Sequence, residues 1–159
     1  MARELITSWG DYQTALDRLL VIAEHKIFIY DEDLGHLALE APPRLAEIRR
    51  VLHAARGTSQ IRLAVRNGEP LRREHPLLMN LLGQFGHCLA AQQTAPQLAH
   101  LRDAMIIVDD RHGLIRFERD QARSKLLLDE PDELKGYLAR FDEIWREGGE
   151  SISITTLGL

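Results

Sequence analysis

Arg102-Asp103-Ala104-Met105-Ile106-Ile107-Val108-Asp109-Asp110-Arg111-His112-Gly113-Leu114-Ile115-Arg116-Phe117 decides how this chain folds. Ala104 to Val108 is a short, unbroken apolar run, punctuated by Asp109, Asp110 and Gly113. Apolar runs of this length between turn residues predict strands buried on both faces. Leu114 to Phe117 then alternates apolar with polar. Asp110-Arg111-His112-Gly113 fits a hairpin loop with glycine at a left-handed position. The segment therefore predicts a central strand, a tight turn and a partner strand.

Working outward, Ser8 has the spacing of a helix cap ahead of Tyr12, Ala15, Leu16, Leu19, Leu20 and Ala23. A helix over about 11–24 is expected. Lys26 to Tyr30 is rich in β-branched and aromatic residues and stops at Asp31-Glu32-Asp33, as a strand does. A short strand is expected over 36–40. Pro42-Pro43 opens a helix with Leu45, Ile48, Val51, Leu52 and Ala55 on its buried stripe, ended by Gly57. Ile61 to Val65 predicts a strand closed by Asn67-Gly68. One helix is expected over 74–85, with Leu77, Leu78, Leu81, Leu82 and Phe85 on one face.

His87 to Gln92 is ambiguous: helix–strand alternation asks for a strand, while its alanines and glutamines lean away from one. Pro96 to His100 predicts a helical turn, and Ser124 to Leu128 a strand. Pro131 starts a last helix with Leu134, Tyr137, Leu138, Phe141, Ile144 and Trp145 on its apolar face, stopped by Gly148-Gly149. Ser151 to Thr156 alternates as a terminal strand. Trp9 and Trp145 are expected at the two ends of the domain, Trp145 in the core or at a dimer seam. The pattern predicts one α/β domain spanning 1–159, with a mixed, mostly parallel central sheet flanked by helices.

Bulk properties narrow the function. A chain of 159 residues with 45% hydrophobic and 28% charged residues suits one soluble domain with a real core. Its formal net charge of −4 argues against a general nucleic-acid binder. No run is long enough to span a membrane, and the N-terminus lacks the apolar stretch of a signal peptide. The single cysteine, Cys88, excludes an internal disulfide, fits the cytoplasm and reads as a core thiol. Arginine dominates the basic residues, 17 against 3 lysines, with eight between Arg44 and Arg73. That stretch is a solvated basic face or an anion-binding patch.

No cofactor is expected: glycine-rich phosphate loops and a Gly-x-Ser-x-Gly elbow are absent. The seven histidines have no paired i, i+4 spacing for a helical zinc site. Asp31-Glu32-Asp33 and Asp109-Asp110 could meet at adjacent strand ends and hold Mg²⁺, although such acids more often serve as caps.

The order of elements resembles a single phospholipase D-like domain. The likeness rests on the early helix feeding Lys26-Ile27-Phe28-Ile29-Tyr30-Asp31, on Met105 to Asp109 as an apolar run ending in Asp, on the strand after it, and on a closing helix with Phe141-x-x-x-Trp145. That family's catalytic signature is His-x-Lys, four residues, then Asp. With Asp109 as the aspartate, the histidine position holds Arg102 and the lysine position Ala104. The family's Gly-Ser-x-Asn-like segment is also missing: Glu118-Arg119-Asp120-Gln121 follows Phe117. His100-Leu101-Arg102 offers a His-x-Arg, but two residues out of place, a shift of about 6–7 Å along a strand.

The resemblance thus implies a catalytically degenerate member, a binding or assembly module. It further implies a homodimer, since one-motif members pair across the site. The chain is also similar to a domain associated with bacterial acetyltransferase-like proteins, which suggests a protein partner of that kind. The vestigial site is expected to gather Arg62, Arg66, His100, Arg102, Asp109 and Arg116 as anion or ligand contacts. A residual phosphodiesterase or nuclease using His100 and Arg102, or a phosphate- or nucleotide-ligand binder, are the alternatives.

Overall fold

Five buried residues in succession, Ala104 to Val108, form β5, a strand inside an eight-stranded sheet. The computed structural model describes residues 1–54 and 60–154. Its elements are β1 (Ala2–Ile6), α1 (Trp9–Ile22), β2 (Lys26–Asp31), α2 (Pro42–Ala54), β3 (Gln60–Val65), α3 (Glu69–Glu74), α4 (Pro76–Gln84), β4 (Leu89–Thr94), β5 (Ala104–Val108), β6 (His112–Arg116), β7 (Ser124–Leu128), α5 (Pro131–Glu147) and β8 (Gly149–Ile152). The strands lie in the order β1-β7-β6-β5-β2-β3-β4-β8.

The sheet is mixed, as expected, but the expected parallel majority is wrong. Only β2–β3 and β3–β4 run parallel, while the other five ladders are antiparallel. Parallel neighbours need a crossover helix, and only α2 and the α3–α4 pair supply one. The β5–β6–β7 meander needs only short loops.

Side chains of the strands alternate between two cores. Ile27, Ile29, Leu63, Ile106, Val108 and Leu114 pack with Leu16, Leu19, Ile48 and Leu52 from α1 and α2. Phe28, Tyr30, Met105, Ile107 and Ile115 pack with Leu134, Phe141 and Ile144 from α5. Ser8 caps α1 by accepting the Asp11 N–H at 3.1 Å. No helix among the described residues is long and apolar enough to cross a membrane.

Several boundaries differ from the sequence reading for identifiable reasons. No strand forms over 36–40. Leu34, Leu37 and Leu39 are all buried there, and Leu34 (φ 69°) and Ala38 (φ 42°) take left-handed turn conformations. The single helix over 74–85 is two, α3 and α4, because Pro76 forces His75 out of helical geometry (φ −124°, ψ 64°). Leu77 is consequently exposed rather than on the buried face.

The ambiguous segment becomes β4, where pairing with β3 outweighs the weak strand preference of alanine and glutamine. The final strand is Gly149–Ile152, and β1 was not foreseen. Ala55, Gly57, Thr155 and Thr156 lie outside the described residues.

In the hairpin, Asp109 (φ 54°) and Asp110 (φ 58°) take the left-handed positions, and Arg111 N–H closes the turn onto Val108 O at 3.0 Å. Gly113 is needed for a different reason. It lies inside β6, and an added Cβ would sit 2.7 Å from Leu134 Cδ2. The glycine lets α5 press onto the sheet. Gly113→Ala should therefore destabilise the domain by about 1–3 kcal/mol through overpacking, measured by urea denaturation. An unchanged midpoint would show that α5 can move aside at no cost.

Candidate functional site

β2 and β3 end, β5 begins and β6 ends at one edge of the sheet, because Tyr30 pairs with Met105 and Ala104 with Arg116. Arg116 closes β6 there and is 0% exposed. A buried guanidinium needs a carboxylate, and Asp31, closing β2, accepts from Arg116 Nη2 at 2.6 Å. The other Asp31 oxygen accepts the Leu34 N–H at 2.8 Å and the Asp33 N–H at 3.3 Å.

The aromatic start of α1 covers the pair. The Arg116 guanidinium lies 5.5 Å from the Trp9 ring centre and 5.1 Å from that of Tyr12. Burial pushes the Tyr12 phenol well above its ordinary range despite the opposing pull of Arg116. His36 stacks on the outer part of this group, its ring 4.1 Å from Trp9.

Around the pair runs a ring of further ion pairs. Arg102 Nε donates to Glu118 at 2.8 Å, and Nη2 donates to Asp120 at 2.9 Å. The Arg102 hydrogen bond holds the Glu118 carboxyl below its usual range. Arg66 donates to Glu32 at 2.9 Å and to the Asp103 carbonyl at 2.7 Å, with its guanidinium over Tyr30. Arg119 also pairs with Glu32, at 3.0 Å. Burial works to raise Glu32, but its bonds to Arg66 and Arg119 outweigh that and hold it low. Arg140 pairs with Asp103. A cavity of about 250 Å³ at this end is lined by Glu32, Asp33, His36, Arg119 and Asp120.

Three of the expected site residues, Arg66, Arg102 and Arg116, thus gather at one end of the sheet. Asp109 and Arg62 lie elsewhere. Asp109 sits at the opposite end, where its carboxylate accepts the N–H groups of Glu24, His25 and Lys26 at 2.9, 2.8 and 2.8 Å. It fastens the hairpin to the start of β2. β2 and β5 are antiparallel, so Asp31-Glu32-Asp33 and Asp109-Asp110 cannot meet.

Arg62 is in the middle of β3 on the α5 face, and His100 is exposed in the linker before β5. No group of three His, Cys, Asp or Glu side chains suited to a metal occurs among the described residues. Cys88 is buried, and burial raises its thiol.

The sequence reading missed Asp31, Tyr12, His36 and Glu118 as members of this cluster. A signal for Asp31 existed: Arg116 sits at an inward position after Leu114, and an inward arginine demands an acid.

With this geometry in view, the fold is phospholipase D-like. Nuc from Salmonella typhimurium, a phospholipase D family member, is similar at a TM-score of 0.65 and 13% identity, over 96% of this chain and 99% of that one. NucT from Helicobacter pylori is similar at 0.57 and 10% identity, over 96% and 99%. TrmBL2, an archaeal chromatin protein with a novel mode of DNA binding, is similar at 0.68 and 13% identity over 94% of this chain, which spans 54% of its length. No curated protein sequence matches. By sequence the chain belongs to the family described as Domain of unknown function (DUF7931), whose model covers residues 9–157.

The buried pair makes a directional prediction. Asp31→Asn or Arg116→Met alone should cost about 3–5 kcal/mol, because each leaves an uncompensated buried group. Asp31→Asn with Arg116→Met together should cost clearly less than the sum. Additive losses in denaturant titrations of the three variants would refute the coupling.

Proposed function

We propose that this chain is a non-catalytic phospholipase D-like domain that serves as a binding or assembly module. The pairing of Arg102 carries the reading. A phosphohistidine reaction needs an imidazole that attacks phosphorus and cations that stabilise the equatorial oxygens. Here the family's histidine position is a guanidinium, which is no nucleophile, and Glu118 and Asp120 already neutralise it. The lysine position is Ala104, buried beside Arg116 in the adjacent strand. His36, the imidazole on the cavity at this end, lies flat on Trp9.

The purified chain should show no turnover of bis(p-nitrophenyl) phosphate or single-stranded DNA above buffer. Hydrolysis that disappears in His36→Ala or His100→Ala would overturn the proposal and favour a residual phosphodiesterase.

The module is also proposed to act as a homodimer through this end, as the likeness to one-motif phospholipase D-like proteins suggests. Phe117, directly after Arg116 and 45% exposed, supplies apolar surface there. Sedimentation at micromolar concentration should give a dimer that Phe117→Glu weakens. A strictly monomeric wild-type chain would rule this out.

A further inference from the structure

Phe28, Arg62 and Ala90 form a row across β2, β3 and β4 on the face that carries α5. Phe141 stacks on Phe28 at 4.9 Å between ring centres. The Arg62 guanidinium lies 5.5 Å from the Phe28 ring centre and 5.1 Å from that of Trp145. Gln92 Nε2 donates to the Trp145 carbonyl at 3.0 Å and so fixes the end of the helix. Beside this row, where Ala90 is exposed, a cavity of about 230 Å³ opens onto Gln60, Arg62, His87 and Trp145.

Two properties set this cleft apart. Its lining carries an arginine and a histidine but no carboxylate, whereas the cavities beside Arg44, Arg111 and Arg119 all include acids. Among the described residues no carboxylate pairs with Arg62, while Arg66, Arg102, Arg116, Arg119 and Arg140 are each paired. An arginine held by aromatic rings keeps its donor fork in a fixed plane, which lowers the ordering cost of taking an oxyanion.

We propose that this cleft is a binding site for a small organic anion, with a phosphate or carboxylate group on the Arg62 fork and its carbon part against Trp145 and Ala90. The site lies four residues, about 13 Å, along β3 from Arg66. It is therefore independent of whether the Arg116 end is catalytic.

The test titrates the ¹⁵N-labelled full chain with inorganic phosphate, glycerol 3-phosphate and succinate and follows the Trp145 indole signal by NMR. A saturable shift with at least one of them is expected, and the strongest responder separates a phosphate from a carboxylate ligand. Arg62→Gln should weaken binding by about tenfold or more, as loss of a charged hydrogen bond does. Ala90→Glu should do the same while leaving the aromatic clamp intact, since it places a carboxylate opposite Arg62. Arg73→Gln, at an exposed position, should change nothing. No saturable shift with any of the three anions would overturn the proposal. So would binding that survives Ala90→Glu, or that is lost in Arg102→Ala but not in Arg62→Gln.

Discussion

The buried contact between Arg116 and Asp31 sets the shape of one whole end of this domain. A guanidinium with no exposure costs many kcal/mol unless an acid and further hydrogen bonds accompany it. Asp31 supplies the acid from the end of β2, two strands away across β5, and binds Nη2, while the guanidinium otherwise lies against the Trp9 and Tyr12 rings with Nε and Nη1 unpartnered among the described residues. Its second oxygen then takes the N–H groups of Asp33 and Leu34, so the chain must turn immediately after the strand. That turn carries Leu34, Leu37 and Leu39 back into the core. Trp9 and Tyr12 must face the cation, which fixes the rotation of the first turn of α1. One ion pair therefore joins two strands, a helix and a loop.

The consequence for chemistry is electrostatic. An end of a sheet that captures phosphate needs cations with field to offer. Here the cations answer one another's acids: Arg66 and Arg119 share Glu32, Arg102 takes Glu118 and Asp120, and Arg140 takes Asp103. Each of these guanidinium groups has a carboxylate partner, while Arg66 Nη2 and Arg116 Nε and Nη1 are buried without a hydrogen-bond partner among the described residues. Arg62 differs because its neighbours are aromatic faces, which restrain a cation without neutralising it.

Much of this arrangement was legible in the sequence, but unevenly. The buried strand, the hairpin and the last helix follow from local apolar patterns, and those patterns survive in the fold. The short segment over 36–40 misled because its alternation of leucines mimics a strand, while the backbone bonds offered by Asp31 impose a turn. Pro76 was a visible breaker that the leucine stripe around it obscured. Strand direction was not legible, since a five-residue apolar run reads alike in parallel and antiparallel sheets. At the candidate site, counting arginines could not tell Arg66 and Arg116, which lie at one strand end, from Arg62 in mid-strand. Position along a strand separates them, and their partners arrive from distant parts of the chain. Asp109 shows the converse case. The resemblance marked it as a motif residue, and its place in the fold is a structural clasp on three backbone amides.

Nuc shares this scaffold at 13% identity, so few individual side chains are needed to specify the fold. Cores tolerate exchange of side chains when volume and pattern are kept, so a small residue such as Ala104 can occupy β5 where its neighbours allow it. The exchange is nonetheless constrained by its neighbour. Ala104 pairs directly with Arg116, and both are buried. A lysine at 104 would set a second cation against the guanidinium, and like charges opposite each other destabilise an antiparallel pair. A small neutral residue at 104 therefore suits the buried arginine at 116. Asp31 already serves Arg116 and two backbone amides, so a second buried cation at 104 would find that carboxylate taken.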